Sequence, residues 1–191
     1  MNIQEELTKF KTDCENLQGR EFESFHELES VYCNLINKGT QLRRYVIEHP
    51  ELCSSDTIKV LKNEADDLSL MEDGYKPLLI VLYLKKELLF HYESYLKTLH
   101  SEQKYEEAVN IYNQMFKFAP NHIFKLSIAD LYYEKMDKKK QALKIMSEIE
   151  PYMKDFPIYY WKKARMYEGE GIYYRALLCM KKAIELEGAD A

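Results

Sequence analysis

An all-α fold, with antiparallel helical hairpins stacked as a short superhelix behind an N-terminal helical bundle, is what this sequence predicts. Three observations carry that reading. Glycine and proline are scarce, six and five in 191 residues, too few for the many turns of an all-β fold. Apolar residues recur at steps of three and four, and no stretch alternates with period two over a useful length. Finally, Ala108, Ala142 and Ala176 stand 34 residues apart each time.

The first helix is expected over about 2–17, where Ile3, Leu7, Phe10, Cys14 and Leu17 form one stripe and Gly19 ends it. A second helical stretch covers about 22–48 through Phe25, Leu28, Tyr32, Leu35, Leu42 and Val46. Gly39 fills the missing seam position and is expected to break or weaken that helix. His49-Pro50 closes it. A third helix starts with Ser55 or Asp56 as cap and presents Ile58, Leu61, Ala65 and Leu68. The stretch "EDGYKP" at 72–77 reads as a turn and as the boundary between an acidic N-terminal bundle, 1–76, and a repeat domain, 77–191. Further helices follow near 77–100, 104–118, 123–135, 138–150, 157–169 and 172–187. Their connections are short, so neighbours should run antiparallel.

Charge is uneven along the chain. Residues 1–75 hold 8 Lys and Arg against 16 Asp and Glu, whereas 76–191 hold 19 against 16. A net −5 with an acidic N-terminal part argues against a nucleic-acid binder. Cysteines 14, 33, 53 and 179 form no C-x-x-C pair and read as buried thiols of a reducing compartment. The start "MNIQEELTKFK" is too polar for a secretory signal, and "LLIVLYL" at 78–84 is too short to span a bilayer. An intracellular, cytoplasmic protein without membrane insertion is expected.

The alanine period has a packing reason. A small residue lets two helix axes approach, and larger neighbours such as Tyr112, Met146 and Met180 fill the space beside it. Pro120 stops the helix that carries Ala108, since proline lacks an N–H and disfavours helical geometry before it. A 34-residue helix–turn–helix unit of this kind resembles the tetratricopeptide repeat. Three copies are expected over about 89–122, 123–156 and 157–190. The third carries Tyr160, Ala164, Tyr167, Gly171, Tyr173, Ala176 and Ala183 at the family's signature positions. The first keeps Tyr92, Tyr95, Tyr105, Ala108, Tyr112 and Pro120 but has Leu96 where the family prefers a small residue. In the second, Ala129 and Tyr132 place the turn one residue longer, and Pro151 comes early. Residues 1–76 show no match in this phase.

The resemblance implies a non-enzymatic protein–protein interaction module, a scaffold or adaptor that holds a peptide or amphipathic helix in the groove lined by the first helix of each pair. Its facing residues would be Phe90, Glu93 and Lys97, then Ile123, Leu126, Asp130 and Tyr133, then Ile158, Trp161, Lys162 and Arg165. Lys97, Ser127 and Ile158 stand where members that grip a C-terminal carboxylate carry other residues, so that clamp is not expected. An internal or helical segment fits better.

A narrower alternative is a small secretion-type chaperone for an unfolded client. A reading from another class is a helical metal-dependent enzyme with a site assembled between the two parts. Against an enzyme, H-E-x-x-H and G-x-S-x-G are absent. Glu87 and His91 are two ligands at most, "EADD" at 64–67 lacks calcium-loop spacing, and "GEG" at 169–171 is no phosphate loop. Neither a catalytic residue, a metal nor a cofactor is expected. "KMDKKK" at 135–140 reads as a solvated turn. The last helix is apolar at 11 of 15 positions over 172–186. Leu178 and Ile184 therefore mark an expected oligomer or capping interface, such as a homodimer through the last repeat.

Overall fold

The computed structural model describes residues 2–62 and 68–189. Among them the chain is all-helical, with α1 Ile3–Glu15, α2 Phe25–Glu48, α3 Ser55–Leu61, α4 Ile80–Ser101, α5 Tyr105–Phe118, α6 His122–Glu134, α7 Lys139–Met153, α8 Pro157–Gly169 and α9 Tyr173–Ala189. Short 3-10 turns cover Pro50–Leu52, Leu68–Leu70 and Asp73–Leu79. No described helix is long and apolar enough to cross a membrane. The chain divides into two compact units between Glu93 and Ser94, inside α4.

That division differs from the boundary expected at 72–77, and burial supplies the reason. "EDGYKP" opens the expected turn, but as a packed 3-10 turn within the first unit rather than a boundary, because Tyr75 is buried and its hydroxyl donates to the Leu52 carbonyl. The first part of α4 then lays Val81, Leu84, Leu88 and Tyr92 into the N-terminal core with Leu7, Phe10, Val46 and Leu61. Two phenol–carboxylate bonds join α2 to α4 in opposite senses. Tyr32 Oη donates to Glu87 Oε2 at 3.1 Å, and Tyr92 Oη donates to Glu29 Oε1 at 2.6 Å. Bonds to a charged acceptor are the stronger kind.

Gly39 does not break α2. The helix runs through it, and a Cβ there would lie inside contact distance of Val81 Cγ2 and 2.6 Å from Phe10 Cζ. Helices α1, α2 and α4 converge on that position. The α3 cap is Ser54, one residue before the expected pair, accepting from Thr57 N at 3.2 Å. Its buried face is Thr57, Val60 and Leu61 rather than one centred on Ile58. Thr57 is tolerated there because its hydroxyl accepts from Glu72 N at 3.0 Å. Ala65 lies outside the described residues, as does the whole of "EADD".

The second unit is built from the end of α4 and α5 to α9. Here α8 packs most closely on α9 and α6 on α7, while α5 lies on α6 and α6 touches α8. Ala108, Ala142 and Ala164 are fully buried and Ala176 nearly so. The 34-residue period recurs in the backbone. Gln103, Asp137 and Gly171 have φ of 60°, 51° and 71°, one left-handed residue at each hairpin turn. Lys104 N donates to Leu99 O at 2.9 Å and Ile172 N to Tyr167 O at 2.8 Å, the six-residue closure of a Schellman end. The middle turn is one residue longer, with Lys138 N reaching Tyr132 O at 2.7 Å. Only the third turn uses glycine. Gln103 and Asp137 carry a side chain where the left-handed region costs roughly 1 kcal/mol.

Helix α7 continues past its expected end at 150, through Pro151 to Met153. Proline removes a single N–H near the helix end, and Met153 is buried in the core shared by Leu126, Ala129, Ala142, Met146, Ile149, Tyr159 and Met166. Leu126 is thus a core residue and not a groove residue.

Candidate functional site

The residues expected to line one groove are distributed by the structure. Phe90 and Glu93 belong to the first unit, while Lys97 is exposed in the second. On the second unit, α6 and α8 do bring their members together. Lys162 pairs with Asp130, and one turn further on Arg165 pairs with Glu134. Asp130 and Glu134 are four apart on α6, and Lys162 and Arg165 three apart on α8, so the two pairs form a row along the helix–helix seam. Arg165 is largely exposed, which limits its pair to about 1 kcal/mol or less. Burial, followed by the Arg165 guanidinium, lowers the Lys162 pKa, while contact with Asp130 works the other way.

Tyr133 sits under the end of α8. Its hydroxyl donates to the Met166 carbonyl at 2.8 Å and lies 3.2 Å from Glu170 Oε1. Burial first, then the Glu170 bond, raises its pKa. Glu170 in turn is held below its ordinary value chiefly by Lys139, 2.9 Å away. Any Cβ at Gly169 would collide with the Tyr133 hydroxyl, so a glycine closes α8 where this phenol passes. Tyr133 therefore positions α8 against α6.

Trp161 is half-buried, and its indole N–H donates to Glu187 Oε1 of α9 at 2.8 Å. Ile123 and Ile158 are 45% and 46% exposed. Both lie on the first turns of their helices, Ile123 seven residues before Asp130 and Ile158 four before Lys162.

Glu134, Glu170 and Glu187 are the members that reading the sequence missed. Asp130–Lys162 and Glu134–Arg165 join residues 32 and 31 apart, and opposite charges at that separation were the available signal. The basic run 135–140 is also partly committed inside the unit. Lys138 pairs with Glu106 and Lys139 with Glu170. Among the described residues no three of His, Cys, Asp and Glu are grouped to hold a metal ion.

On α9, Tyr174, Leu177, Leu178 and Ile184 are exposed, with Leu178 at 50% and Ile184 at 59%. No family model matches this chain, and no curated protein matches it either.

Proposed function

We propose that the second unit is a non-enzymatic interaction module that holds a peptide or amphipathic helix of a partner protein along the α6–α8 seam. The observation that carries this reading is the pair of half-exposed isoleucines, Ile123 and Ile158, on the first turns of the two helices that the seam ion pairs join. Isolated exposed isoleucines need no explanation, but a set flanked by ordered charges has the layout of an interface core and rim. Trp161 supplies the readout, being the only tryptophan in the chain.

The test selects peptides from a displayed random library against the whole protein. Titration of the selected peptides should shift Trp161 emission. Ile158→Ser should weaken their binding about tenfold, the loss of one well-packed aliphatic anchor. Peptides that bind equally well to Ile158→Ser without moving the Trp161 signal would overturn the assignment.

The outer face of α9 fits a second copy of the chain. Besides its apolar residues it carries Lys181 and Glu185, one turn apart, in loose contact at 3.9 Å. Two antiparallel copies of one helix reverse that order, bringing Lys181 of each toward Glu185 of the other around the leucines. Sedimentation at micromolar concentration should show a dimer that Leu178→Glu with Ile184→Glu converts to monomer. A parent that stays monomeric at all accessible concentrations would refute it.

A further inference from the structure

Phe90 leads to a different site. It lines a surface depression of about 400 Å3 on the first unit together with Tyr32, Tyr83, Lys86, Glu87 and His91. Tyr32, Tyr83 and Glu87 also line an adjoining depression of about 490 Å3, which adds Glu15, Leu17, Ile80 and Leu84. The two therefore share a wall. Volumes in this range accept a few side chains of a ligand.

Tyr83, Glu87 and Phe90 stand at i, i+4 and i+7 on α4, which is one stripe of a helix. A carboxylate lies between two aromatic rings, one turn away on either side. Both rings are far more exposed than aromatic rings usually are, Tyr83 at 70% and Phe90 at 69%. Tyr32 is buried, and its hydroxyl holds Glu87 Oε2 at 3.1 Å. Among the described residues none forms an ion pair with Glu87. The carboxylate is thus oriented from below but has no cation.

The geometry points to a docking site for a protein segment that presents an arginine beside an apolar side chain. The guanidinium would lie on the Glu87 carboxylate between the Tyr83 and Phe90 rings, and the apolar side chain would enter the adjoining depression over Leu17, Ile80 and Leu84. A guanidinium meets the two demands together, since it is planar enough to lie on a ring and forked enough to span a carboxylate. Charge complementarity agrees. Residues 1–93 hold 11 Lys and Arg against 18 Asp and Glu, a net −7. Of the other charged groups facing the two depressions, Lys86 opposes a cation and Glu15 favours one. Lys11, 3.7 Å from Glu15, offsets part of the latter effect, and His91 completes the rim.

The test uses the full chain with isotope-labelled aromatic rings and two dipeptide probes, N-acetyl-leucyl-arginine amide and its neutral citrulline counterpart. The arginine probe should move the Tyr83 and Phe90 ring signals in the millimolar range. Its affinity should exceed that of the citrulline probe by about threefold to fivefold, the worth of one exposed ion pair. Glu87→Gln should bring the two probes level, and Phe90→Ala should weaken the arginine probe. Both variants change exposed side chains, and unchanged thermal melts would show that the unit is intact. Equal responses to the two probes in the parent, or an arginine response that survives Glu87→Gln or Phe90→Ala undiminished, would overturn the proposal.

Discussion

Tyr159→Ala should destabilise the second unit by about 3–5 kcal/mol, the range for removing a large buried aromatic ring. Tyr159 is fully buried in the core formed by α6, α7 and α8. Its hydroxyl donates to the Met146 carbonyl at 3.0 Å and receives a bond from Lys163 Nζ, also at 3.0 Å. Lys163 continues to Glu150 at 3.0 Å, so one ring ties α8 to α7 by packing and by a polar chain. Burial pushes the phenol pKa up to about 12, which keeps the group protonated through the neutral range. Tyr159→Phe isolates the polar part. It keeps the ring but leaves the Met146 carbonyl and Lys163 short of a partner, and should cost about 1–3 kcal/mol. Urea denaturation read by helical circular dichroism measures both. A Tyr159→Ala midpoint within error of the parent would show that α7 and α8 are not packed through this residue.

Gly39→Ala is expected to destabilise the first unit by about 1–3 kcal/mol, the usual cost of overpacking. Helix propensity alone predicts the opposite sign, because alanine is favoured over glycine inside a helix by about 1 kcal/mol. The structure decides between them. The added methyl would meet Val81 and Phe10, both buried and both fixed by neighbours on three helices. Valine has no flexible end to swing away, and the phenylalanine ring fills the centre of the core. A thermal melt raised by this substitution would show that α1, α2 and α4 do not converge there.

The helical class and the position of the helices in the second unit were legible in the residues alone. The stripes at steps of three and four and the capping and breaking residues are local signals. They hold because helical hydrogen bonds close within a few residues. The alanine period was legible for a related reason. A position with no room for a large side chain keeps a small residue, and the interval of 34 between Ala108, Ala142 and Ala176 reappears in the left-handed turn residues Gln103, Asp137 and Gly171.

What the local pattern leaves open is settled by contacts between residues far apart in the chain. Gly39 reads as a break or a weak point in the helix until Val81, 42 positions away in the chain, is placed against it. "EDGYKP" reads as a turn at a domain boundary until Tyr75 is seen bonded to Leu52, inside the first unit. The division inside α4 has the same origin. One continuous helix shows no break at Glu93, yet residues before it are buried by α1 and α2, and Tyr92 answers to Glu29, 63 positions earlier. At the seam, the family resemblance implied a groove face for Asp130, Tyr133, Trp161, Lys162 and Arg165. Their ties to Glu134, Met166, Glu170 and Glu187 depend on the distance between helices rather than on position within one. Periodicity reports which side of a helix is apolar. What that side, or the opposite one, meets is fixed only when the helices pack.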